Sequence, residues 1–130
     1  DFDLAARLVC PVGTATNGQF VYVGAQVGSQ GVWIGGCHLG SHGIVRQDES
    51  GGAVVMTTLE AQAQYFRIAR QGQDFLTYYA LGPKRPEKKD WVLLRPTVTT
   101  VTSNATALVG LGGRAMEAGV MATIYEVWNV

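Results

Sequence analysis

The amino-acid sequence predicts an all-β protein built as a two-sheet antiparallel sandwich. Glycine is abundant, with 17 residues at turn-like intervals, whereas proline is scarce, with 4. Threonine and valine are frequent, and both residue types favour strands over helices. About ten short strand-like segments follow one another with turn signals between them, which is typical of a sandwich. We therefore expect two stacked sheets around one core.

The first half of the chain contains the first five of these segments. Residues 1–9 alternate in polarity, with Phe2, Leu4, Ala6 and Leu8 on one face, which indicates a half-buried strand. The dipeptide Asn17-Gly18 is a strong turn signal ahead of the second strand. The next strands are predicted at 19–27, 32–34, 44–46 and 53–58, with turns at 28–31 and 48–52 and a loop or irregular strand at 35–43.

The second half continues the same pattern. Residues 59–64 have good helix propensity but no apolar stripe at helical spacing, so they are predicted to form a loop with at most one turn of helix. Residues 65–70 and 75–79 are predicted to pair as a hairpin across a turn at 71–74. The remaining strands are predicted at 91–94, 97–102, 107–111 and 122–130, with loops at 83–89 and 110–119.

The order of motifs in residues 65–130 resembles that of a known superfamily. The hairpin reads Tyr-Phe-Arg-Ile-Ala-Arg, a turn, then Phe-Leu-Thr-Tyr-Tyr; Trp91, a Val-Gly-Leu strand and a closing Ala-Thr-Ile-Tyr-Glu-Val follow. This order resembles the concanavalin A-like lectin/glucanase jelly-roll superfamily, and most of all a bacterial branch of uncharacterised sandwich modules on secreted and cell-surface proteins. The resemblance implies a jelly roll and an extracellular or cell-surface location, and the length of the chain predicts one domain over residues 1–130.

The same resemblance implies a gap at the start of the chain. Residues 1–9 match the second conserved block of the family, so its opening strand or strands are expected to be missing. In such modules a strand near the N-terminus lies close to the last strand. We therefore expect the edge near residues 122–130 to be covered by an upstream segment or by a neighbouring subunit.

Size and charge exclude several function classes. A chain of 130 residues with 47% apolar residues is long enough for one domain with a real core. Its formal net charge is zero, which argues against a nucleic-acid partner, because such proteins need a basic excess. The sequence contains no apolar run long enough to span a membrane.

Neither a catalytic pair nor a metal site is predicted. Asp48 and Glu49 fall in a predicted turn and Glu126 stands alone, whereas a glycosidase needs two carboxylates across the scissile bond. Cys37, His38 and His42 are zinc-ligand types, but two histidines four residues apart on a strand are separated by about 13 Å. We expect no enzyme activity, no metal and no cofactor.

Ligand binding is assigned to exposed aromatic and polar side chains. Sugars present apolar C–H faces and polar rims, which aromatic rings with convergent hydrogen-bonding groups recognise. The candidate ligand-binding residues are Trp33, Arg46, Gln47, Arg67 and Tyr78, and Tyr22, Gln26 and Tyr125 have similar chemistry. The predicted core residues are Phe66, Ile68, Phe75, Tyr79, Trp91, Leu108 and Ile124, together with Trp128.

Two covalent features depend on the cellular location. Cys10 and Cys37 are expected to form a disulfide if the protein is extracellular and to be buried thiols if it is cytosolic. Asn104 begins an Asn-Ala-Thr glycosylation sequon, which matters only in a source that glycosylates.

Two functions follow from these expectations. The first is a non-catalytic extracellular recognition module that binds a glycan or another surface ligand, as the resemblance implies. The alternative is a structural subunit that assembles into a homo-oligomer, filament, tube or other surface assembly through an open strand edge.

Overall fold

The computed structural model describes residues 1–9, 20–39, 42–50, 52–94, 99–100, 105–114 and 123–130. They form an all-β protein with two antiparallel sheets packed face to face, which confirms the predicted sandwich. The strands are β1 (Phe2–Val9), β2 (Phe20–Val27), β3 (Gln30–Leu39), β4 (His42–Glu49), β5 (Val54–Leu59), β6 (Tyr65–Gln71), β7 (Asp74–Ala80), β8 (Val92–Leu93), β9 (Thr99–Thr100), β10 (Leu108–Arg114) and β11 (Thr123–Asn129). One short 3₁₀ helix spans Lys88–Asp90.

The strands divide into two sheets by a non-sequential order. Sheet A has the order β11-β1-β6-β7-β8, and β9 also pairs with β7. Sheet B has the order β10-β2-β3-β4-β5. The first strand therefore lies between the last strand and β6, so the expected proximity of the first and last strands is confirmed.

Two hairpin turns contain a glycine with a positive φ. The β6–β7 register pairs Gln71 with Asp74, which leaves a two-residue loop in which Gly72 has a φ of 62°. The β2–β3 register pairs Val27 with Gln30 around Gly28, whose φ is 60°. Glycine adopts this left-handed conformation without a Cβ penalty, and tight hairpins require it.

The core lies between the two sheets, and it confirms part of the predicted set. Phe66, Ile68 and Phe75 are buried there, and Tyr79 packs against them while remaining partly exposed. They face apolar side chains of sheet B, including Val23, Ile34 and Val45.

Four predicted core residues lie elsewhere. Leu108 is 78% exposed because it pairs with Gln26 on the outer face of sheet B. Ile124 is 54% exposed, although its partner Leu8 on β1 is buried. Among the described residues β11 is the outermost strand of sheet A, so sheet B covers β11 less than it covers β1. Trp91 and Trp128 are partly exposed and contact arginine side chains on the outer side of sheet A.

The glycine-rich stretch at 35–43 is more regular than expected. β3 continues to Leu39 and β4 begins at His42, so strand pairing on both sides overrides the low strand propensity of glycine. At Gly36 a Cβ atom would lie 2.8 Å from the ring of Phe66, so glycine makes room for a core side chain of the opposite sheet. The strand predicted at 107–111 extends further than expected, so the predicted loop is wrong over 112–114, which belong to β10.

β5 ends at Leu59, and residues 60–64 form a loop without a helical turn. Cys10 and Asn104 lie outside the described residues, and so do the proposed disulfide and the sequon asparagine; Cys37 is buried. Among the described residues no helix is long and apolar enough to cross a membrane.

Candidate functional site

The five candidate ligand residues lie in three different layers of the sandwich. Trp33 and Arg46 lie on the outer face of sheet B, whereas Arg67 and Tyr78 are paired on the outer face of sheet A. Gln47 is 1% exposed, between the sheets. The five predicted residues therefore cannot all contact one ligand. Gln47 is wrong as a ligand contact because its side chain points into the core.

The outer face of sheet B carries an aromatic ring that rests directly on the backbone. A Cβ atom at Gly24 would lie 2.2 Å from Cδ1 of Trp33, and one at Gly31 would lie 2.9 Å from Cη2. Since no side chain at either position would fit beneath the ring, the indole lies across β2 and β3. The two glycines thus make room for the Trp33 ring to lie on the sheet.

The ring of Tyr22 lies beside that of Trp33, and it also packs on a glycine. Tyr22 packs on Gly112 of β10, where a Cβ atom would lie 2.8 Å from the Tyr22 hydroxyl oxygen. The rings of Tyr22 and Trp33 have centroids 6.5 Å apart and planes at 81°, an edge-to-face arrangement that stabilises both. The pair forms an aromatic corner on the sheet.

Two shallow depressions meet at this corner. One, of about 330 Å³, is lined by Phe20, Tyr22, Gln26, Trp33 and Asp48. The other, of about 200 Å³, lies towards β10 and is lined also by Leu108 and Gly110. Tyr22, Gln26 and Trp33 belong to both, so a ligand longer than one ring could occupy the two together.

Asp48 and Gln26 line the larger depression, and Arg46 adjoins it through its ion pair with Asp48. The Arg46 Nε donates to Oδ1 of Asp48 at 2.9 Å, and the two side chains are only 17% and 5% exposed. The Arg46 guanidinium also lies 5.1 Å from the centroid of the Phe20 ring. This pair is neutral overall, and it holds a carboxylate acceptor at the floor of an aromatic site. Gln26 adds an amide at the rim, where its Nε2 donates to the Gly28 carbonyl at 2.9 Å.

The position of Asp48 corrects the sequence analysis. Asp48 and Glu49 were expected as solvated charges of a turn, but both belong to β4, and Asp48 is buried. The strand extends because Asp48 pairs with Trp33 on one side and with Val54 on the other. An isolated Asp-Glu dipeptide carries no local signal of such pairing.

Gln47, although buried, has a structural role between the sheets. The Thr77 hydroxyl on β7 donates to Gln47 Oε1 on β4, and Gln47 Nε2 donates to Glu49 at 2.7 Å. Both Gln47 and Thr77 are buried, so this hydrogen bond links the two sheets inside the core.

Removing one partner of this link tests its contribution. Thr77→Val keeps the shape of the side chain but leaves Gln47 Oε1 buried without this donor. We expect the free energy of unfolding to fall by about 1–3 kcal/mol, measured by urea denaturation. In Gln47→Leu/Thr77→Val both polar partners are gone, so the loss should be smaller than the sum of the single losses. Simple additivity would show that the two side chains are not coupled.

On the outer face of sheet A, the other two candidates, Arg67 and Tyr78, contact each other. Arg67 donates from Nε to Oδ1 of Asp3 at 2.7 Å and from Nη2 to the second oxygen. Hydrogen bonding to Asp3 raises the pKa of Arg67 above its ordinary value, against the opposing effect of burial. The guanidinium lies over Tyr78 at 4.6 Å. The edge of the Arg67 guanidinium is therefore bonded to Asp3 and its face lies on an aromatic ring.

A metal site was the other possibility that the residue types suggested. Within the described ranges, no three His, Cys, Asp or Glu side chains lie together as a metal site would require. The Cys37, His38 and His42 stretch forms the end of the β3–β4 hairpin, where Leu39 pairs with His42.

A comparison with known proteins finds no match: no protein-family model, no curated protein and no solved structure. The function is therefore inferred from the residues of the site itself.

Proposed function

We propose that the protein is a non-catalytic recognition module that binds a carbohydrate on the outer face of sheet B, in an extracellular or cell-surface setting. The observation that carries the proposal is the indole of Trp33 resting on Gly24 and Gly31. A ring held in this way offers a stacking surface without the entropic cost of ordering a mobile side chain.

The chemistry around the ring suits a sugar. A pyranose has an apolar C–H face, which packs on an aromatic ring, and a rim of hydroxyls, which need donors and acceptors. Asp48 supplies an acceptor and Gln26 both a donor and an acceptor, while Arg46 holds the Asp48 carboxylate in place. Because the ion pair of Arg46 and Asp48 cancels its own charge, the site favours a neutral saccharide over an acidic one.

Loss of the Trp33 ring, or its displacement, should weaken binding strongly. A glycan array with the wild-type protein would identify a binding saccharide, and calorimetric titration with that saccharide would follow for variants. Trp33→Ala is expected to weaken binding by about thirtyfold or more, as for the central residue of an interface. Gly24→Ala keeps the indole but displaces it, so a similar loss is expected.

The opposite face supplies the matched control. Tyr78→Ala removes an aromatic side chain from the outer face of sheet A and should leave the affinity unchanged. The proposal would be wrong if no saccharide bound, or if Tyr78→Ala weakened binding while Trp33→Ala did not.

A further inference from the structure

The last strand offers one open edge for pairing. β11 is the terminal strand of sheet A, and within the described residues it pairs only with β1. The Val130 N–H donates to the Asp3 carbonyl, so the backbone groups of Val130 point towards β1. Backbone groups alternate along an antiparallel strand, so those of Val127 and Asn129 point away from β1, to the open side.

The side chains next to this edge differ on the two sides of the sheet. On the inner side Val127 is 45% exposed, although its partner Ala6 is buried. On the outer side lie Glu126 and Trp128, which pair with Arg7 and Ala5. An exposed apolar residue beside unpaired backbone groups is a template for strand addition.

Two opposite charges flank the open edge. The guanidinium of Arg85 lies over the Trp128 ring, 4.1 Å from its centroid. Stacking uses the face of the guanidinium and leaves its N–H donors at the edge for a carboxylate. Neither Arg85 nor Glu126 forms an ion pair within the part of the chain that the structure describes.

These features complement each other when the strand meets a copy of itself. Antiparallel pairing about Val127 would place Val127 opposite Val127 of a second copy, with both backbones pointing at each other. The same register sets Glu126 of each copy opposite Trp128 of the other. Directly opposite Cβ atoms are about 4.5–5.5 Å apart, so each Glu126 would reach the Arg85 that covers that indole.

We propose that β11 pairs antiparallel with β11 of a second copy of this chain, centred on Val127 and closed by two Glu126–Arg85 ion pairs. The contact joins two A sheets into one and covers Val127. It is isologous, so it ends at a dimer and does not propagate as a filament or tube. It does not depend on carbohydrate binding, since that site lies on sheet B.

A pair of charge variants tests the contact in trans. Arg85→Glu sets Glu against Glu126 of the partner, and Glu126→Lys sets Lys against Arg85. Each variant alone should weaken the dimer by about tenfold or more, because like charges are then opposed twice. An equimolar mixture of the two should restore a heterodimer, since each new residue then faces its opposite charge.

Sedimentation velocity of the full chain, from micromolar to near-millimolar concentration, measures these equilibria. Val127→Pro, which removes the central N–H donor but is tolerated on a sheet edge, should also give monomers. Circular dichroism checks that each variant keeps its fold. A wild-type protein that stays monomeric, variants that dimerise like wild type, a mixture that stays monomeric, or open assemblies larger than a dimer would each overturn the proposal.

Discussion

Replacing Phe75 by alanine is expected to lower the free energy of unfolding by about 3–5 kcal/mol. Phe75 is 2% exposed and packs against Phe2, with ring centroids 6.1 Å apart. The ring closes the core where β7 faces sheet B, and alanine would leave a cavity that neighbouring strands cannot fill without breaking their ladders. A loss of this size is a large part of the stability of a small domain. Urea denaturation with a constant m value would measure it.

Leu108→Ala is the matched control for this prediction. The sequence placed Leu108 and Phe75 in the same core, but the structure puts Leu108 on the outer face of sheet B. Its replacement should change the free energy of unfolding by no more than about 0.5 kcal/mol. Equal losses for the two variants would mean that the orientation of β10 is wrong.

Replacing Gly35 by alanine is expected to have an effect of similar size for the opposite reason. A Cβ atom at Gly35 would lie 1.6 Å from the Val21 carbonyl oxygen and 2.6 Å from its carbon. Because the obstacle is backbone of the neighbouring strand, no change of side-chain rotamer relieves the clash, and β2 and β3 must separate. We expect a loss of about 3 kcal/mol or more, beyond the usual cost of overpacking.

Gly110 supplies the control for this substitution. It lies in β10 of the same sheet, and a Cβ atom there would meet nothing within 4 Å. Gly110→Ala should therefore leave the thermal unfolding midpoint nearly unchanged, whereas Gly35→Ala should lower it by several degrees or prevent folding. If the two variants unfold alike, the close approach of β2 and β3 at Gly35 does not limit stability.

The candidate site could be predicted only in part. Trp33 and Arg46 were identified from residue type, but Asp48 was assigned to a turn and Gln47 to the surface. Period-two spacing gives a signal that was available: Tyr22, Gly24 and Gln26 alternate on β2, as do Gly31, Trp33 and Gly35 on β3. Small residues on the same face as an aromatic residue indicate that its ring lies on the sheet.

The sequence by itself determined the all-β class, most of the strands and the tight hairpin at Gly72, because strand propensity and turn chemistry are local properties. Only the tertiary structure decided which strands are neighbours. That choice exposes Leu108, leaves Ile124 on an edge strand, and brings Tyr22, Trp33 and Asp48 together from three strands. The physical reason is register: the face that a side chain occupies depends on pairing with distant strands, and a shift of one residue reverses it.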